Sequence, residues 1–279
     1  MMPEWHFHIN IHITYSVKIK DVISTLERFA PLPLQEDYDN AGLQVGLTEA
    51  DVSGVLLCLD VTEQVVSEAQ SLGYNMIVSH HPLIFHRLRH IGGESYVERC
   101  VMEAIKAGIT IVSMHTNLDS AEGGVNYEIA RRLGIEMSTV TIIEPREAEG
   151  VTGGACIIGM LPKAVTSEEY IRKVKEVFRV PRITGNELLQ RPIQSIAICG
   201  GAGAFMLPQA VAAKADAFLT GEMHYHEYFA REQQIQITVI GHYESEQYTQ
   251  QLLQDIIQQH CPGVKTVVTS TNTNPVRYY

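Results

Sequence analysis

The sequence predicts an α/β protein whose mixed sheets are flanked by helices, and three observations carry that prediction. Short apolar runs alternate with stretches of three- and four-residue apolar periodicity, the strand, helix, strand order of a helix-covered sheet. Several runs are continuously apolar, as in Gly54-Val55-Leu56-Leu57-Cys58-Leu59, which suits strands buried on both faces. Clusters of His, Asp and Asn directly follow some of these runs, at the carboxyl ends of strands where α/β sheets bind ligands.

Taken in order, residues 5–13 alternate, with Trp5, Phe7, Ile9, Ile11 and Ile13 on one side and His6, His8, Asn10 and His12 on the other. This period of two predicts a half-buried strand in an N-terminal extension, residues 1–17. Its three His could capture a metal, and a solvated strand face is the plainer reading. From Lys18, the spacing of Val22, Ile23, Leu26 and Phe29 predicts a helix that Pro31 and Pro33 stop. The loop 38–46 leads into a buried strand over 54–60, followed by a helix over 62–71 for which Asp60 reads as a cap. The strand 74–78 ends in Ser79-His80-His81-Pro82. A helix around 97–107 and a strand 110–114 then deliver His115-Thr116-Asn117-Leu118-Asp119.

The polar stretch 144–150, with Pro145, reads as a linker to a second unit. That unit is expected to contain a strand near 153–160, a helix over 167–178 and a strand 193–199 running into Gly200-Gly201-Ala202-Gly203-Ala204. After another helix come a short strand, 217–220, and a run 237–242 that again ends in His. A final helix over 246–260 and a strand 266–269 close the pattern.

With 279 residues, 45% of them hydrophobic, the chain is long enough for two domains. A formal charge of -11 disfavours nucleic-acid binding, which needs a Lys/Arg stripe to displace counterions. The five cysteines are odd in number and never form a Cys-x-x-Cys pair, so neither a disulfide framework nor a thiolate zinc site is expected. There is no apolar run of membrane-spanning length and no secretory pattern. A soluble, cytoplasmic protein with no membrane association is the expectation.

The chemistry concentrates in a few residues. Neighbours on an extended chain point to opposite faces, so His80 and His81 share one ion only if the backbone turns; otherwise they serve two neighbouring ions. His242 and Glu246 are four apart at a strand-to-helix junction and could reach one ion together. With Asp119 they make three imidazoles and two carboxylates, a donor set suited to zinc, iron or manganese. Five donors exceed one tetrahedral site, and a carboxylate such as Glu246 could bridge two ions ~3.5–4 Å apart. For each residue taken singly, the plainer reading is a structural or solvated side chain. The loop Gly200 to Ala204 resembles a phosphate cradle, yet it lacks the Gly-Lys-Ser/Thr ending, and tight turning also explains it. Asn40 has the shape to hydrogen-bond a substrate, or its loop is a plain turn.

Five motifs occur in order: Asp39-Asn40-Ala41-Gly42-Leu43-Gln44-Val45-Gly46, Ser79-His80-His81-Pro82, His115-Thr116-Asn117-Leu118-Asp119, Thr220-Gly221-Glu222 with His226, and Gly241-His242-Tyr243-Glu244-Ser245-Glu246. Together they resemble the YbgI/YqfO-type family of dinuclear-metal proteins, the NIF-three-like proteins also called GTP cyclohydrolase I type 2 homologues. The resemblance runs from about Lys18 to near the C-terminus. It implies two divalent metal ions per subunit on His80, His81, Asp119, His242 and Glu246, with Glu246 as the bridge. It implies two α/β domains: a metal-binding one over 18–135 completed by the C-terminal segment 236–279, and a second over 136–235. It also implies a homohexameric ring with the metal sites facing an inner cavity. Longer members carry an inserted domain, for which the stretch from Arg146 to Ser195 is too short. His115 and His226 are expected as catalytic proton carriers or as partners of the ligands, with buried hydrogen-bonded His as the alternative.

The expected function is a metal-dependent hydrolase acting on a small phosphorylated or nucleotide-like substrate. The alternative from another class is a non-catalytic metal-binding storage, chaperone or adaptor protein. The narrower cyclohydrolase activity needs a triphosphate grip, and no strong one is evident in the sequence.

Overall fold

In the computed structural model, residues 16–277 are described, and they build two mixed sheets around a shared layer of helices. The strand expected over 5–13 lies outside the described residues. The first half runs α1 (Ile19–Phe29), β1 (Gly42–Val45), β2 (Val55–Cys58), α2 (Glu63–Ser71), β3 (Met76–Ser79), α3 (Tyr96–Ala107), β4 (Thr110–Ser113), α4 (Thr116–Ser120) and α5 (Val125–Leu133). There follow β5 (Thr141–Ile143), β6 (Arg146–Ala148), β7 (Val151–Gly153), β8 (Cys156–Val165), α6 (Ser167–Phe178), β9 (Thr184–Gly185), β10 (Ile193–Cys199), α7 (Leu207–Ala212) and β11 (Ala217–Thr220). The chain then adds β12 (Gln236–Val239), α8 (His242–Glu246), α9 (Thr249–His260) and β13 (Thr266–Val268).

The first sheet has the order β1-β4-β3-β2-β13, and the second β5-β8-β10-β11-β12-β9. β2, β3 and β4 are buried at every position, as their unbroken apolar sequence requires. Successive side chains enter different cores. Val55 and Leu57 face the core shared with α1, α5, α6 and α9, whereas Leu56 and Cys58 pack beneath α2 and α3. In β10, Ile196 and Ile198 join that same shared core, and Ala197 and Cys199 face α7. The two sheets are therefore bound through common helices.

Four expectations need correction. β12 pairs with β11 in the second sheet, so the boundary expected at 236 falls one strand too early. The return to the first sheet is made after β12, through α9 and β13, which pairs in parallel with β2. The stretch read as a linker forms the hairpin of β6 and β7, tied down by the Arg146 guanidinium on Leu34 O, Glu36 and Ser120. The helix expected over 246–260 is two helices, because α8 ends at Glu246 and α9 begins at Thr249. Asp60 is not the cap of α2 either: Thr62 accepts the Val65 N–H.

The segment beyond β13 is locked by Glu68 on α2, whose carboxylate accepts bonds from Thr269, Ser270 and Thr271. Burial favours its protonated form, but these donors outweigh it and bring the pKa from 4.5 to about 2. A carboxyl acidified by folding contributes stability above its unfolded pKa and loses it as the pH falls toward the folded value. Glu68→Gln is expected to cost about 1–3 kcal/mol at neutral pH. It should also flatten the fall in melting temperature between pH 4.5 and about 2, measured by calorimetry against wild type.

Candidate metal centre

The site forms where the carboxyl ends of both sheets meet. β3 and β4 are parallel neighbours with Ser79 opposite Ser113, so the segments following them emerge side by side. Successive residues of a regular strand alternate their N–H groups between two neighbours. Here the His80 and His81 N–H groups both bond to the β2 side, on Cys58 O and Leu59 O. The pleat is broken at the pair, and the Ser79 and Ser113 hydroxyls hold the turn by donating to His81 O at 2.8 and 3.2 Å. The backbone thus makes the turn that lets two adjacent imidazoles face one cluster, their ring centroids 4.9 Å apart.

From the second sheet, the chain leaves β12 through Gly241, whose φ of 104° favours glycine. One helical turn then places His242 and Glu246 on a common face, with Nε2 and Oε2 3.2 Å apart. Asp119 comes from α4, after β4.

His80, His81 and Glu246 bring ligand atoms within 4.8 Å of one another, and Asp119 and His242 flank them on either side of the Glu246 carboxylate. His80 Nε2 lies 3.6 Å from Asp119 Oδ1 and 3.7 Å from Glu246 Oε1. His81 Nε2 lies 3.0 Å from Glu246 Oε2 and 3.3 Å from His242 Nε2. Nitrogen and oxygen ligands sit ~2.0–2.2 Å from zinc, and donors around one tetrahedral ion are therefore ~3.3 Å apart. His81, His242 and Glu246 are spaced accordingly, and His80 stands slightly wider from Asp119 and Glu246. His80 Nε2 and Asp119 Oδ1 are moreover buried without a hydrogen-bond partner among the described residues, a costly arrangement that a cation would relieve.

Each imidazole is oriented through its other nitrogen. His80 Nδ1 is 2.7 Å from Met114 O and donates to it, which turns the Nε2 lone pair toward the cluster. His81 Nδ1 lies 2.8 Å from Asp60 Oδ1, and His242 Nδ1 lies 3.0 Å from Glu222 Oε1. The electrostatics without a cation are strained. Burial, reinforced by the charge of Glu246, pushes Asp119 well above the carboxylate range. Burial opposes the charge of Glu246 as well, yet the surrounding imidazoles hold it well below its ordinary value. Burial alone would lower the pKa of His81 and His242, and carboxylates override it: Asp60 and Glu246 bring His81 to about 10, and Glu246 brings His242 to about 9.

His81, Asp119, His242 and Glu246 border a cavity of about 410 Å³ whose wall includes Tyr38, Phe85, His115 and Phe205. His115 Nδ1 is 2.7 Å from Asp39 Oδ1. Burial raises the affinity of Asp39 for a proton, but His115, Thr116 and the Asn40 N–H prevail and hold its pKa at about 2. His226 is placed elsewhere, exposed on the turn Tyr225–Tyr228 against the rings of Tyr225 and Phe229. Asn40 donates to Ile84 O and so braces the loop after His81. The glycine loop is a close-packed turn: a Cβ on Gly201 would lie 2.3 Å from Glu246 Oε1, and the Gly200 and Gly201 N–H groups are taken by Asn126 and Ser245.

Asp60 and Glu222 escaped the sequence reading because each orients a ligand distant in the chain, and Asp60 precedes a helix where a cap is the usual role. Asp60→Ala is expected to weaken zinc binding ~10–100-fold, measured by competition with a chromophoric chelator. Because His81 and His242 must lose protons to ligate, zinc uptake at neutral pH should release protons, visible as buffer-dependent calorimetric heats.

No helix among the described residues is long and apolar enough to cross a membrane. The family model for Duf34/NIF3 (NGG1p interacting factor 3) matches residues 17–275. A Lactococcus lactis protein named GTP cyclohydrolase 1 type 2 homolog is 34% identical over 266 residues, covering 93% of this chain and 98% of that one. A Clostridium acetobutylicum protein of the same name is 31% identical over 271 residues, covering 94% and 99%. Among solved structures, a Staphylococcus aureus hypothetical protein superposes with a TM-score of 0.85 at 27% identity, over 95% of this chain and 100% of that one. With this match across nearly its whole length, the chain belongs to the Duf34/NIF3 (NGG1p interacting factor 3) family.

Proposed function

We propose that the protein is a dinuclear-metal hydrolase acting on a small phosphorylated or nucleotide-like substrate. The carrying observation is the pair of donor triads joined at Glu246 and opening onto a cavity of about 410 Å³. Two divalent ions, zinc, iron or manganese, would be held by His80, Asp119 and Glu246 Oε1 on one side and by His81, His242 and Glu246 Oε2 on the other. Such a pair supplies Lewis-acid polarisation of a substrate oxygen and a water acidic enough to react near neutrality.

The protein's own groups supply the rest. His115 lines the cavity, and its Nδ1 is fixed on Asp39. Its Nε2 is thereby the atom that takes or gives a proton at the reacting group. Tyr38, Phe85 and Phe205, each exposed, give the cavity an apolar rim, and the volume suits a ligand of nucleotide size. The glycine loop contributes no free N–H at Gly200 or Gly201 for a phosphate. The cyclohydrolase name therefore stays with the relatives, and the reading here is the broader hydrolase class.

Protein loaded with zinc, iron or manganese should turn over at least one member of a nucleotide and phosphoester panel. Retained metal without turnover on any member would sink the hydrolase reading and favour a metal carrier. Glu246→Gln should lose bound metal, measured by plasma emission. His115→Ala should retain metal while kcat falls ~10²–10⁴-fold.

A further inference from the structure

The part of the chain after β13 reaches the surroundings of His81 and His242. There a second cavity of about 340 Å³ is lined by Asp60, His81 and His242 together with Asn274, Pro275 and Val276. Thr273 Oγ1 donates to Asp60 Oδ2 at 2.7 Å, across 213 residues of sequence. The other oxygen of the same carboxylate, Oδ1, holds His81 Nδ1 at 2.8 Å.

We propose that Thr273 is a positioning residue of the metal centre, acting through Asp60 on His81. The torsion that turns a carboxylate about its last bond is broad and nearly two-fold, so one hydrogen bond does not fix the plane of Asp60. The bond from Thr273 supplies the second point and sets Oδ1 against the imidazole. The Thr273 backbone is held in turn at both sides. Glu68 anchors Thr269, Ser270 and Thr271 upstream, and Asn274 Nδ2 donates to Glu244 Oε1 at 3.2 Å downstream. The inference rests on the metal-centre reading and is independent of hydrolysis.

The test compares Thr273→Val, which keeps the shape and removes the donor, with Thr273→Ser, which keeps the donor, both in the full chain. Zinc affinity is measured by chelator competition, and the cobalt-substituted protein is followed by its visible spectrum. The valine variant is expected to bind zinc about three- to tenfold more weakly, less than the ~10–100-fold expected for loss of Asp60 itself. Its cobalt bands should shift, and the serine variant should match wild type in both respects. In an Asp60→Ala background, Thr273→Val should cause no further loss, because two residues acting through one contact are non-additive. Wild-type affinity in the valine variant, equal weakening in the serine variant, or additive losses in the double variant would each overturn the proposal. Wild-type protein that binds neither zinc nor cobalt would overturn the metal-centre reading, and this proposal with it.

Discussion

The structure turns on one buried carboxylate. Glu246 is 3% exposed, so its charge must be met chiefly by protein groups. Its two oxygens face different partners, His80 through Oε1 and His81 with His242 through Oε2. That division needs the carboxyl ends of two sheets at one point, and the shared layer of α1, α5, α6 and α9 brings them there. The glycine at position 201 follows from the same demand, since any side chain there would strike Oε1.

The surroundings are graded outward from this point. Imidazoles touch the carboxylate, carboxylates and a carbonyl hold the imidazoles, and the Thr273 hydroxyl holds one of those carboxylates, Asp60, in turn. Each layer restricts a softer torsion in the layer within it. Asp39 serves His115 as Asp60 serves His81, so the cavity wall and the donor cluster are steadied by the same device.

Much of this was legible in the sequence. Unbroken apolar runs such as Val55 to Cys58 admit few readings, and the helix over 167–178 carries its own capping box at Thr166 and Glu169. His80, His81 and Glu246, which the fold gathers within 4.8 Å of one another, were visible as strand-end or helix-face residues. What local pattern could not reveal was long-range pairing. The expected boundary puts the segment from 236 in the first domain, whereas its strand pairs with β11, a partner that no local pattern discloses. The role of Asp60 was hidden by a nearer and more ordinary one, and His226 shared the spacing of His115 without sharing its place. Spacing reports which face a residue occupies, and the fold decides what that face meets.

The order of the ligands along the chain has a consequence for how the centre is made. His81 and Glu246 are 165 residues apart, and at a synthesis rate of ~5–20 residues per second the first imidazoles wait on the order of ten to thirty seconds for their bridge. β13, which closes the first sheet, comes later still. A nascent chain thus presents His80 and His81 well before Glu246 exists, and the cluster is complete only once the last elements have been made and packed.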